Sequence, residues 1–600
     1  MNPQNFENRK YIFWGIVLLI GIIYTARLFV LQIFDSTYKE NADSNALLQK
    51  TLYPSRGLIY DRNGELLVYN RPAYDVMITM REVEPFDTLA FCAIVDITKA
   101  DFIKRIADLK KLRGYSRYTP QLLIAQLSPQ EYGRLQEQLY RYPGFDVQER
   151  IVREYKYPNA AHILGSIGEV SKSDIEKDAY YRRGDYAGRD GIEYTYEDRL
   201  RGTKGAEIFL RDSKGRIQGR YNDGEDDKVP IPGENLYLSI DIELQAYGEQ
   251  LMQGKIGSAV AIEPETGEIL AMVSNPTFDP SLLVGRERSK NYAALVANPH
   301  KPLMNRATQA TYSPGSTFKP IQALVALHEG AITPQTLFPC NGPGSQPIKC
   351  THFHGSPVAL LGAVEQSCNP YFWQTYQRLL TKDGAAHIKD NYKIWRADML
   401  RFNLGRKFDS DIYQQVSGNI PSAEFYDKIY DGRWNAMTVR SNSIGQGEVL
   451  LTPLQMANTM AIIANRGFFR VPHLARLDTF NIEIPTEIET EHFATVVEGM
   501  WRVCKFGTGR WYQIPDVEMC GKTGTVQNNR GKDHSVFVGF APMDNPKIAI
   551  AVVVENAGFG ATWANPIASL MMEKYLHRDI APGRKAIEER MIKANLQSAI

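Results

Sequence analysis

The spacing of apolar and polar residues changes several times along this 600-residue chain, and each change predicts a different element. Residues 11–26 (YIFWGIVLLIGIIYTA) carry no charge, and after Arg27 the chain stays largely apolar through Phe34. As a helix the uncharged run is about 24 Å long; continuing to Phe34, with Arg27 snorkelling, gives enough length for a bilayer core. No small-residue cleavage site follows, so residues 11–34 read as an uncleaved transmembrane anchor rather than a signal peptide. Arg9 and Lys10 precede the run, which places a cytoplasmic tip (1–10) inside and the rest of the chain outside. Further on, residues 56–67 read as a strand, an Asn63-Gly64 turn and a second strand. Asp61 and Arg62 beside that turn read as a structural ion pair. Phe102, Ile106, Leu109 and Leu112 recur at helical spacing.

Pro230-Ile231-Pro232-Gly233 punctuates the chain and sets the main boundary near residue 235. Beyond it, the apolar runs 258–262 and 269–273, joined by Glu263-Pro264-Glu265-Thr266-Gly267, predict a hairpin. Residues 535–540 and 548–554 read as two more buried strands. Strands at both ends with helices between predict an α/β sandwich closed by its termini.

Composition narrows the function classes. Hydrophobic residues at 44% and charged residues at 23% are ordinary for globular chains and exclude disordered, collagenous and many-span classes. A net charge of +1 leaves no basic field for a phosphate backbone, so nucleic acid is not an expected partner. Six cysteines are too few for a disulfide scaffold.

The candidate chemistry begins at Ser316-Thr317-Phe318-Lys319. Pro314 and Gly315 break the chain before it and an apolar run follows, so the serine falls in the first turn of a helix. Residues i and i+3 share a face, which sets the Lys319 amine against the Ser316 hydroxyl. A serine needs an adjacent base to act as a nucleophile, and burial drives a lysine towards its neutral form. Ser367-Cys368-Asn369 adds a hydroxyl for proton relay and an amide to orient a peptide carbonyl. Lys522-Thr523-Gly524-Thr525 reads as an edge strand lining a cleft. There Lys522 offers charge to a substrate carboxylate, Thr523 and Thr525 offer hydroxyls, and Gly524 admits a peptide backbone. S-x-x-K, S-x-N and K-T-G in this order are the set used by penicillin-binding proteins and β-lactamases for serine acyl transfer.

With RGLIYDRNGELLVYN (56–70), GRDGIEYTYEDRLRGTKG (188–205), SPGSTFKP (313–320), SIGQGEVLLTPLQMA (443–457) and GKTGTVQ (521–527), the chain resembles the class B penicillin-binding proteins of the elongation type. The resemblance covers nearly everything after the cytoplasmic tip. It implies an α+β fold with one N-terminal transmembrane helix, an elongated mixed pedestal (35–235) and a penicilloyl-serine transferase domain (236–580). That domain would have a central antiparallel sheet flanked by helices, followed by a tail (581–600). It implies a D,D-transpeptidase acting on peptidoglycan stem peptides that end in D-Ala-D-Ala, inhibited covalently by β-lactams. Ser316 would be the nucleophile, Lys319 its base, and Ser367 with Asn369 the relay and orienting pair. Lys522, Thr523 and Thr525 would bind the donor carboxylate, and the N–H groups of Ser316 and Thr525 would form the oxyanion hole. The position between Ser367 and Asn369, often aspartate in relatives, is Cys368, which carries no charge there. A SEDS-type glycosyltransferase and elongation-complex proteins would be partners. The alternatives are a division-specific transpeptidase and a β-lactam sensor or non-catalytic scaffold. A β-lactamase is disfavoured because no Leu-Asn dipeptide, part of the deacylating E-x-x-L-N loop, occurs in the chain.

The chemistry needs no cofactor. Cys340, Cys350, His352, His354 and Cys368 nevertheless cluster around the S-x-N motif. Three thiolates and an imidazole suit a structural zinc ion. A Cys340–Cys350 disulfide, with Cys368 buried and free, is the alternative that an oxidising compartment permits. The resemblance favours zinc, with His354 ahead of His352. Cys92, Cys504 and Cys520 read as small buried hydrophobes. Gly445-Gln446-Gly447 lacks the context of a nucleotide loop. Trp434 and the tyrosines near 426–430 are candidates for a stem-peptide platform.

Overall fold

The computed structural model describes residues 4–29, 47–111, 115–212, 217–528 and 531–597. The N-terminal helix runs Gln4–Phe29, and its segment Lys10–Phe29 is long and apolar enough to cross a membrane. That segment is exposed around its whole circumference, an arrangement suited to lipid rather than water. Residues 30–34 of the expected anchor and 598–600 of the expected tail lie outside the described residues.

The chain divides into two compact units. The first comprises Met1–Arg56, Pro72–Ile151 and Arg201–Gly233. In it Leu47–Leu52 pairs antiparallel with Gly205–Arg211, which pairs with Ile217–Arg220. Residues 74–78 pair with Gln121–Leu127. Helix Lys99–Lys111 buries Phe102 and Leu109 as its spacing predicts, while Leu112 lies outside the described residues. Phe86, Phe91, Tyr142 and Phe145 pack edge to face in the same core.

The second unit comprises Gly57–Arg71, Val152–Leu200 and Glu234–Ile600. Two segments upstream of the Pro-Gly punctuation therefore pack with the C-terminal portion of the chain. Their apolar side chains account for this, because Ile59, Val68, Ile163 and Ile192 are fully buried in the same core as Leu238 and Ile240. The Asn-Gly turn forms with Gly64 at φ +83°, and Ile59–Tyr60 pairs with both residues 66–68 and Leu236–Tyr237. Asp61 and Arg62 do not pair with each other. The Asp61 carboxylate accepts the Asn63 and Glu65 N–H groups, while Arg62 bridges to Glu263 at 3.1 Å and Glu268 at 3.4 Å. Arg153 and Glu193 form a completely buried ion pair at 2.6 Å.

In this unit we label helix α1 (Ile242–Met252), hairpin strands β1 (Gly257–Ile262) and β2 (Ile269–Asn275), and helices α2 (Lys319–His328), α3 (Asn369–Leu380), α4 (Ile388–Arg401), α5 (Pro453–Ala464) and α6 (Thr490–Lys505). Strands β3 (Cys520–Val526), β4 (His534–Ala541) and β5 (Ile548–Val554) and helix α7 (Ala564–His577) follow. The five strands form one antiparallel sheet in the order β2-β1-β5-β4-β3. Alternate β5 residues enter opposite cores. Ala549, Ala551 and Val553 face the α2, α5 and α6 side, and Ile550, Val552 and Val554 face α1 and α7. Burial on both faces is why β5 is continuously apolar in sequence rather than alternating. The order leaves β3, the K-T-G-T strand, at an edge.

Candidate active site

Ser316 sits in a short 3₁₀ turn, Gly315–Phe318, that leads directly into α2. Pro320 falls in the first turn of α2, where a missing N–H costs nothing. Gly315 adopts φ +56°, and a Cβ there would lie 3.2 Å from the Thr525 carbonyl oxygen, so glycine lets the serine turn press against β3. The Gly315 N–H donates to the Gly445 carbonyl at 2.8 Å. The G-Q-G segment thus braces the serine turn. It runs on to α5, which starts at a capping box of Thr452 and Gln455 with Pro453 at the first position.

Ser367 lies in the loop before α3 at φ +56°, a left-handed conformation that is costly for a non-glycine residue. Lys319, fully buried on the first turn of α2, explains what holds it there. Its Nζ bonds the Ser367 carbonyl at 2.7 Å, Ser367 Oγ at 3.1 Å and Asn369 Oδ1 at 2.6 Å. The amine therefore reaches the S-x-N loop; among the described residues no hydrogen bond joins it to Ser316 Oγ. Asn369 Nδ2 donates to the Lys349 carbonyl at 2.9 Å. Burial lowers the pKa of Lys319 to about 7. Burial, followed by the nearby Lys319 charge, also pushes Lys522 well below the usual lysine range. Two ammonium groups this close in a dry interior are not both charged, so a neutral amine is available near pH 7.

A cleft of about 910 Å³ is lined by Ser316, Ser367, Asn369, Thr523 and Thr525. Strand alternation places Thr523 and Thr525 in its wall and buries Lys522 completely, with Nζ 3.2 Å from the Thr523 carbonyl. The lysine expected to offer charge to a substrate carboxylate is therefore buried, and the two threonines hold the accessible positions. Thr508 Oγ1 lies 2.7 Å from Thr523 Oγ1. Gly524 faces away from the cleft, and a Cβ there would meet Thr317 Cγ2 at 2.9 Å. Its role is close packing of β3 on the serine turn, not room for substrate.

The structure also brings in residues that the sequence reading missed. Trp511 and Phe559 line the cleft with about 70% of their surfaces exposed (71% and 70%), joined by Arg440 and Gln446. Nothing in their local sequence marks them, because exposure of a large aromatic ring is a tertiary property. Conversely, Tyr426 and Trp434 are buried against Tyr392 as core packing, and of the expected platform Tyr430 alone is exposed, at 41%. His534 uses Nδ1 to accept the Asn556 N–H.

Cys340, Cys350, His354 and Cys368 place one ligand atom each within 4.8 Å of one another. All six cysteines are free thiols, so the Cys340–Cys350 disulfide is not formed. Cys92, Cys504 and Cys520 are buried apart from the cluster. A hydrogen bond from Cys368 holds the Cys350 thiol well below the ordinary range and pushes that of Cys368 up. His354 Nδ1 donates to the Gly355 carbonyl at 2.9 Å, which leaves Nε2, 3.6 Å from Cys350 Sγ, with its lone pair towards the thiols. His352 faces Gln366 instead, at 3.3 Å. Donor type, tautomer and spacing fit a tetrahedral zinc ion.

A helix-borne serine, a buried amine behind it and an edge strand across the cleft define the class: a serine acyltransferase of the penicillin-interacting kind. Residues 257–573 match the family described as the penicillin-binding protein transpeptidase domain, and residues 51–238 the penicillin-binding protein dimerisation domain. The peptidoglycan D,D-transpeptidase MrdA of Acinetobacter baumannii is 32% identical, over 99% of this chain and 91% of its own. MrdA of Escherichia coli K12 is 31% identical, over 91% and 90%. Pseudomonas aeruginosa PBP2, solved with WCK 5153, superposes with TM-score 0.65 at 28% identity, covering 89% of this chain and 99% of that one. Helicobacter pylori PBP2, solved in complex with MreC, shares the fold with TM-score 0.73 at 23% identity, over 89% and 99%. The chain belongs to the penicillin-binding protein family, in its class B, penicillin-binding protein 2 branch.

Proposed function

We propose that this chain is the peptidoglycan D,D-transpeptidase of cell elongation and that Ser316 forms the acyl-enzyme. The observation that carries the assignment is Lys319, buried behind the cleft-lining Ser316 and bonded to both Ser367 and Asn369. Neutral Lys319 takes the Ser316 proton as Oγ attacks the penultimate D-alanine carbonyl of a stem peptide. The N–H groups of Ser316 and Thr525 receive the developing oxyanion, each worth about 3 kcal/mol in comparable sites. The tetrahedral adduct expels terminal D-alanine, whose amine takes a proton from Ser367 Oγ, resupplied by Lys319 at 3.1 Å. An amine of a neighbouring stem then attacks the ester, forms the cross-link and releases Ser316. Thr523 and Thr525 bind the donor carboxylate, and buried Lys522 lends its potential from beneath. A β-lactam opens on the same serine by the same first step. Wild-type protein is expected to form a long-lived adduct with a fluorescent penicillin, and Ser316→Ala to form none; labelling of Ser316→Ala sinks the proposal.

The helix Lys10–Phe29 would anchor the chain with its N-terminus in the cytoplasm and the catalytic unit outside, with a pedestal over 35–235 and the transpeptidase domain over 236–580. The complex of Helicobacter pylori PBP2 with MreC supports an elongation-complex protein as a partner here too, and a SEDS-type glycosyltransferase would polymerise the glycan. Depletion is expected to round rod-shaped cells; filamentation would instead mark a division enzyme.

Cys340, Cys350, His354 and Cys368 would hold a structural zinc ion next to Asn369. When bound it supplies no chemistry to the reaction and fixes the loop that Lys319 contacts. Stripping zinc with a strong chelator is expected to lower the melting temperature by about 5 °C or more, and Cys350→Ser to do the same. Absence of zinc from freshly purified protein by elemental analysis would remove this part of the proposal.

A further inference from the structure

A second group of candidate metal ligands lies at the opposite end of α2 from Lys319, about 15 Å along the helix axis. His328 ends α2, Glu329 caps it, and Asp398 comes from the last turn of α4; one ligand atom of each lies within 4.8 Å of the others. Asp398 is only 2% exposed. Arg401 bonds its Oδ1 at 3.1 Å, while Oδ2 is buried with no hydrogen-bond partner. A buried carboxylate oxygen left unpaired is costly unless something cationic meets it.

The surroundings are arranged as an outer shell. Glu489, the N-cap of α6, lies 2.6 Å from His328 Nδ1, so that nitrogen carries the proton and Nε2 keeps its lone pair, which an Arg401 N–H meets at 3.5 Å, with Glu329 Oε1 4.0 Å away. A carboxylate bonded to the far nitrogen of an imidazole is the usual orienting device behind a metal-bound histidine. Lys382, just beyond α3, bonds Glu329 Oε2, and Arg401 also reaches Glu487 at 3.0 Å. Glu329, Asp398, Glu487 and Glu489 outnumber Lys382 and Arg401 by two charges, which one divalent cation offsets. The C-terminal ends of α2 and α4 add negative helix-dipole potential. His328 and Glu329 side chains keep 17% and 16% exposure, which leaves an entry path.

We propose that His328, Glu329 and Asp398 form a divalent-cation site of one nitrogen and two carboxylates, distinct from the thiol cluster and suited to ions of the Mn²⁺ or Zn²⁺ class. Bound there, the ion ties the ends of α2 and α4 to the start of α6.

Mn²⁺ is the discriminating probe, because thiolates favour softer metals. It is titrated into the full chain in detergent, and the loss of the free-ion electron paramagnetic resonance signal is followed. Wild type is expected to bind one equivalent. Asp398→Asn and His328→Gln are expected to weaken binding by at least about tenfold, as is Glu489→Gln, which orients His328 without touching the ion. Cys350→Ser is expected to bind as wild type does. Melting curves without metal establish that each variant is folded; if Asp398→Asn is not, His328→Gln and Glu489→Gln decide. The proposal is overturned if wild type binds no Mn²⁺ up to about 1 mM, the weak end of extracellular metal affinities. It is equally overturned if the folded variants bind unchanged, or if Cys350→Ser abolishes binding.

Discussion

Lys319→Ala is expected to slow acylation of Ser316 by about 10³-fold, within the range for loss of a general base. Two losses combine in this variant. The base that takes the Ser316 proton disappears, and so do the three hydrogen bonds that hold Ser367 in its left-handed conformation and orient Asn369. The wild-type pH profile tests the first part separately. Burial sets the lysine pKa at about 7, and the reactive form is the neutral amine. The labelling rate with a fluorescent penicillin should therefore rise about tenfold per pH unit below that pKa and level off above it. A rate that is flat through this range would falsify the assignment of Lys319 as the base. Lys319→Arg, which stays charged at every accessible pH, should be as slow as alanine although it keeps a cation in the site.

Breaking the Arg153–Glu193 pair carries the largest expected effect on stability. Both side chains are fully buried, and removing one partner takes the counter-charge from the other in the interior, at a cost of about 3–5 kcal/mol. Arg153→Met and Glu193→Gln should each lower the unfolding free energy from denaturant titration by that amount, while folded protein still labels with penicillin at the wild-type rate. Unchanged stability in both variants would show that the pair is not structurally important. The double variant Arg153→Met/Glu193→Gln should recover part of the loss, because no unpaired charge remains. Glu193 belongs to the GRDGIE segment that carries part of the family resemblance, and its burial makes that segment a packing device within the second unit.

The S-x-x-K serine, the S-x-N loop and the K-T-G-T edge strand were legible because each is a local pattern: a helix start, a turn and a short strand. The hairpin Gly257–Ile262 with Ile269–Asn275 and the strands His534–Ala541 and Ile548–Val554 were legible for the same reason. Directions of side chains were not. Lys522 was expected to offer charge to a substrate carboxylate, and the two-residue period of its strand turns Thr523 and Thr525 towards the cleft and buries the lysine. The bonds of the Lys319 amine to Ser367 and Asn369, 48 and 50 residues along the chain, are likewise invisible in the motif. Arg62 was expected to pair with its neighbour and instead pairs with Glu263, on the hairpin turn. Trp511 and Phe559 gave no signal at all.

The sequence alone determined the apolar N-terminal helix and the acyl-transfer motifs, because each depends on composition or on spacing within one or two turns. Tertiary structure decided which amine is buried and which hydroxyl lines the cleft. It also determined that the cysteines gather with His354 as free thiols, and that Gly57–Arg71 and Val152–Leu200 join the catalytic unit. The reason is common to all of these. Burial and charge pairing depend on segments tens to hundreds of residues apart, and the motif letters alone do not carry them.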